Sequence, residues 1–180
     1  MHFPQDKQTL RRILEMQGVG LIHWKHLQPW AHAIVASVEM PPLWILDLSY
    51  LTFQGDIERC LREIVFAPPF EGFDEELCCD YAIACAFLRY RRRDLSWAGF
   101  LLTAGQLADT RDADGRSCAF YFELLNTLED GGFRSSIERR QSREVSRHLA
   151  GPIAKAARDY HPFLQAFLDG VKSRRRVSRE

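Results

Sequence analysis

The stretch DEELCCDYAIACAFLRYRRR, residues 74–93, decides the fold class. Asp74, Glu75 and Glu76 put negative charge in its first turn, and Arg89, Arg91, Arg92 and Arg93 put positive charge in its last. A helix dipole favours that distribution, because the unpaired N–H groups at one end are partly positive and the unpaired carbonyls at the other partly negative. Leu77, Cys78, Tyr81, Ala82, Cys85 and Leu88 recur at helical spacing and make its expected buried face.

The same periodicity extends in both directions. Upstream, Leu10, Ile13 and Leu14 predict a helix over residues 5–17, stopped by Gly18 and Gly20. Pro29 suits the first turn of a second helix, with Trp30, Ala33, Ile34 and Val38 inward and Pro41-Pro42 as its stop. The segment PPLWILDLSYLTF, residues 41–53, fits either a helix face or a strand, and a short helix is favoured after the proline pair. Asp56 is the expected N-cap of a helix carrying Ile57, Cys60, Leu61, Ile64 and Val65.

Downstream, Asp94 or Ser96 caps a helix with Trp97, Phe100, Leu101 and Leu107 inward, and another covers residues 117–128 until Gly131-Gly132 breaks it. From Ser135 the apolar positions Ile137, Val145 and Leu149 are sparse among arginines, as in a solvated surface helix. Gly151-Pro152 separates it from a last helix through Tyr160, Phe163 and Phe167. The pattern predicts an all-α, single-domain bundle of about seven or eight helices over residues 1–172. Within it 131–172 is a candidate separable arm, and 173–180 follows as a frayed basic tail.

Composition agrees with a globular domain. The 180 residues are 46% hydrophobic, enough for a core that buries roughly 70% of the unfolded surface without disulfides or metal. No run of about 18 uncharged apolar residues is present, so no membrane span is expected, and the charged start lacks a secretory h-region. Five cysteines without metal-like spacing fit buried thiols in a reducing cytoplasm. The neutral total hides two opposed parts: residues 1–130 carry 12 Lys+Arg against 19 Asp+Glu, and residues 131–180 carry 12 against 5. These neutralise each other within the fold or across a homodimer, or else the acidic body meets a basic protein.

Residue type and spacing bear on several chemistries. His23, His26 and His32 could supply imidazole ligands for a helical metal-dependent enzyme, but their spacing is not that of a zincin pair and Pro29 interrupts the expected helix. The loop at 109–116 has Gly115 but no glutamate at the closing position of a calcium loop. No serine sits in a G-x-S-x-G elbow, and no phosphate-binding glycine loop exists, so no catalytic residue and no cofactor are assigned. Cys78-Cys79 reads as packing on an apolar face. Arg89–Arg93 and Arg134–Arg147 could grip phosphates as part of a nucleic-acid-associated regulator, although the neutral chain carries no dense positive footprint.

The favoured candidates for partner binding are Glu71, Asp74, Glu75, Glu76 and Asp80, joined by Asp109, Asp112 and Asp114. Dipole complementarity accounts for three of them; the functional reading is an electrostatic docking surface, with Trp24, Trp30, Phe70 and Phe73 as aromatic anchors. Between Leu21 and Leu61 the order Trp24, Trp30-Ala31, Pro41-Pro42, Trp44, Asp47-Leu48-Ser49 and an amphipathic helix resembles small cytoplasmic immunity proteins encoded beside secreted bacterial toxins. The likeness covers about a quarter of the chain. It implies a non-catalytic inhibitor that neutralises one cognate protein toxin by covering it, while the basic segment from Arg134 departs from the pattern.

Overall fold

A computed structural model describes residues 6–110 and 116–177, with 116–117 and 173–177 as backbone alone. Among the described residues the chain is all-α, without strands, in nine helices: α1 (Lys7–Gly18), α2 (Trp24–Val35), α3 (Leu43–Tyr50), α4 (Gln54–Val65), α5 (Glu75–Arg91), α6 (Trp97–Asp109), α7 (Arg116–Asp130), α8 (Ser135–His148) and α9 (Ala150–Val177). The count exceeds the expected seven or eight, although each helix falls on a segment whose pattern is helical in the sequence, the short helix at 41–53 and the arginine-rich α8 among them.

Contacts divide the chain into two compact units, residues 1–72 with 158–180 and residues 73–157. The segment 131–172 is therefore shared between the units at Ala157 and Arg158. The backbone of α9 stays helical through Val177, within the stretch expected to fray.

In the first unit, Asp6 caps α1 by accepting from the Thr9 N–H at 2.7 Å. Gly20, at φ 73, ends it: its own N–H reaches the Gln17 carbonyl and that of Leu21 reaches Met16, so the last carbonyls are satisfied. Helix α2 begins earlier than expected, at Trp24, and Pro29 lies inside it. An interior proline forfeits one backbone hydrogen bond. Packing compensates: Leu27, Trp30 and Ile34 are buried, and Trp30 lies 4.8 Å from the Phe163 ring. Asp56 is not the cap of α4, which starts from Phe53; the aspartate sits in the first turn and pairs with Arg59 at 2.5 Å. Arg12 Nε donates to Asp159 Oδ2 at 2.9 Å, joining α1 to the end part of α9.

The second unit is built round α5. Every residue from Tyr81 to Phe87 is buried, so the middle of this helix is enclosed on all sides. Leu77, expected inward, is 65% exposed. Phe87, Trp97, Phe100 and Tyr121 form the aromatic core with ring centroids 4.9–6.4 Å apart. Helix α8 is held to it by a buried glutamine: Trp97 Nε1 donates to Gln141 Oε1 at 2.8 Å, and Gln141 Nε2 donates to the Leu124 carbonyl at 2.8 Å. A polar side chain 1% exposed is thus satisfied at both ends.

Candidate functional site

The acidic residues take three different situations. Asp74 caps α5 by accepting from the Leu77 N–H at 3.0 Å, and Glu75 and Glu76 follow it, exposed, beside the exposed Leu77. The Cys79 thiol reaches the Leu107 carbonyl at 3.5 Å, so the start of α5 lies along the end of α6 and the exposed Asp109 belongs to the same end of the second unit. Asp80 turns elsewhere. It is half-buried near Tyr121, and burial pushes its carboxyl above the ordinary value while the positive field of His148 pulls it down. Glu71 is exposed in the segment that closes the first part of the other unit, and Asp112 and Asp114 lie outside the described residues.

The aromatic anchors divide as well. Trp30 is core, Trp24 is half-buried under the Lys25 ammonium, Phe73 is half-buried and Phe70 is exposed. Sequence reading missed a different apolar surface in the first unit. Leu43, Asp47 and Tyr50 recur at i, i+4 and i+7 on α3, and Leu43, Tyr50 and the following Phe53 are 73%, 77% and 68% exposed. The opposite face buries Ile45 and Leu48. The signal was present as a surplus: residues 43–53 hold more large apolar side chains than one helix face can bury.

The three histidines do not converge. The His23 N–H donates to His26 Nδ1 at 3.2 Å, and the His26 ring is buried against Phe167 and Tyr160. His32 is exposed and meets Tyr50 edge-on at 6.3 Å. Among the described residues no group of three or more His, Cys, Asp or Glu could hold a metal ion.

The arginine runs, in contrast, do meet. The end of α5 and the side of α8 bound a cleft of about 800 Å³ lined by Arg91, Arg93, Arg143, Arg147, Ser142 and Ser146. Tyr90 forms part of its wall, donating its hydroxyl to Glu138 Oε1 at 2.8 Å; burial, then this carboxylate, pushes the phenol above its ordinary pKa. A smaller depression of about 350 Å³, lined by Ser136, Arg139 and Arg140, shares Arg143 and Arg147 with the cleft. Arginines at the end of α5 complement its dipole, as does Arg147 in the last turn of α8, but Arg139, Arg140 and Arg143 lie along the side of α8, where the dipole gives no reason for them. Comparisons with protein-family models, with curated proteins and with solved structures gave no match.

Proposed function

We propose that the chain is a single non-catalytic protein-binding module of the immunity type, a cytoplasmic bacterial inhibitor that neutralises a cognate protein toxin by steric and electrostatic occlusion. The observation that carries this reading is the α3 face, where Leu43, Tyr50 and Phe53 stand in solvent around Asp47. Large apolar side chains of this kind act as anchors in protein interfaces, and they cost free energy when left in water. The face lies inside the segment that resembles immunity proteins, which supports the inhibitor form of the reading. Asp74, Glu75, Glu76 and Asp109 add a negative field that would speed the approach of a basic partner.

The test is capture from the lysate of the source cells at low and moderate salt. A single stoichiometric basic protein is expected with the wild type. Leu43→Ser with Tyr50→Ala should abolish its retention without loss of thermal stability, since neither side chain is in the core. Glu75→Lys with Glu76→Lys should slow its association and leave dissociation nearly unchanged. Retention indifferent to all four substitutions would sink the reading.

A further inference from the structure

We infer that the cleft between the end of α5 and α8 is a binding site for a compact organic polyphosphate, a small molecule carrying two or three linked phosphoryl groups. Its volume of about 800 Å³ lies in the range of small-molecule sites. Four arginines line it against one carboxylate, and that carboxylate, Glu138, already accepts the Tyr90 hydroxyl. Among the described residues none of Arg91, Arg93, Arg143 and Arg147 has a carboxylate within ion-pair distance. Like charges gathered without counter-charge repel one another, so an anion bound there relieves a cost that the empty cleft carries.

The backbone at Arg93 points the same way. Helices α1, α5 and α7 all end in one motif, with a residue of positive φ whose N–H, and the N–H after it, close onto the last turn. At α1 and α7 that residue is a glycine, Gly20 and Gly132, with φ 73 and 62. At α5 it is Arg93, φ 65, in a conformation that disfavours any side chain, and this side chain lines the cleft.

Phosphoryl groups suit the lining better than other anions. The guanidinium fork matches two phosphate oxygens at once, lysine is absent from the lining, and Ser146 can donate its hydroxyl hydrogen to a remaining oxygen, whereas that of Ser142 goes to the Arg139 carbonyl at 3.3 Å. A long polyanion is disfavoured because the charge is local. Residues 73–157 carry 12 Lys+Arg against 13 Asp+Glu, and exposed Asp94 and Glu144 flank the arginines in sequence. A nucleic-acid strand would need a positive footprint that continues beyond the cleft.

Titration calorimetry of the full chain with inorganic tripolyphosphate, at physiological ionic strength, tests this. Saturable one-to-one binding is expected, weakened at least about tenfold by Arg143→Glu with Arg147→Glu. Lys155→Glu, a charge change on the same unit outside the cleft, should leave the affinity intact. Arg93→Gly relieves the backbone and removes one guanidinium, so it should raise the melting temperature and still weaken binding, which no folding defect can mimic. Absence of saturation up to about 1 mM ligand would overturn the proposal. So would equal weakening by Lys155→Glu. A short single-stranded oligonucleotide that binds more than about tenfold tighter than tripolyphosphate, and is lost with the same arginines, would replace it with a nucleic-acid site.

Discussion

Asp80 shows how one residue can leave the group to which its sequence neighbours belong. Burial disfavours its ionised form, and His148 offsets that only in part, so its folded pKa stands above the ordinary 3.8. A carboxyl raised on folding stabilises most when protonated. Its contribution is complete below the unfolded value and is lost as pH climbs through the folded one. Asp80→Asn keeps the neutral form at every pH. It should raise the melting temperature by about 1–3 °C at pH 7, with the gain fading towards zero below about pH 4. Thermal melts across that range check it, and a gain independent of pH would mean that ionisation is not the cause. Cys60 behaves similarly: burial, then Asp47 and Glu63, pushes its thiol up to about 11. About one molecule in a thousand then carries the thiolate at pH 8. Site-resolved iodoacetamide labelling of Cys60 should therefore rise about tenfold per pH unit towards that value, and rapid labelling at neutral pH would contradict it.

Several helix ends were legible, though not the starts of α2 and α4, since a cap is a contact between residues only a few positions apart. Asp74, Ser96, Gly20 and Gly131-Gly132 all terminate helices as their chemistry requires, Ser96 by accepting from the Gly99 N–H at 3.1 Å. Arg93 reads in the sequence as a dipole charge and as one member of a run that could grip phosphates, and nothing in a run of arginines tells which one must take a positive φ. Replacing it by glycine should stabilise the chain by about 1 kcal/mol, measured by denaturant titration; a loss of stability would show that the arginine side chain holds α5 in place. Packing between helices was less legible. Gln141 reads as one more polar residue among arginines, yet it joins Trp97 to the Leu124 carbonyl. Gln141→Leu strands both partners in a buried setting and should cost about 2–3 kcal/mol. Combining it with Trp97→Phe, which removes the indole donor, should cost less than the sum of the two single changes, and strict additivity would deny the coupling.

At the scale of the whole molecule, helical periodicity made the all-α class readable from residues 74–93 outward, but the pairing of distant segments was not. Tyr90 meets Glu138 across 48 positions and Arg12 meets Asp159 across 147, and no local signal marks either pair. For that reason the two arginine runs could be seen as basic while the cleft that they build could not, and Pro29 reads as a helix start because the Phe163 ring that packs on the adjacent Trp30 is remote in sequence. The first unit is discontinuous in sequence: α1–α4 are completed by the end of the chain, which supplies Asp159 to Arg12 and the buried Tyr160 and Phe163 to the α2 side. A chain cut after Ala157 loses these groups together. Losing the two buried aromatic side chains alone removes about 3–6 kcal/mol of apolar burial, comparable to the whole stability of a small domain. Hydrogen exchange should then show protection in α1–α4 falling to that of an unfolded chain, while α5–α8, whose core is drawn from residues 73–157, stay protected. Retained protection in α1–α4 would mean that these four helices fold without the end of the chain, and that its aromatic residues serve some purpose other than closing their core.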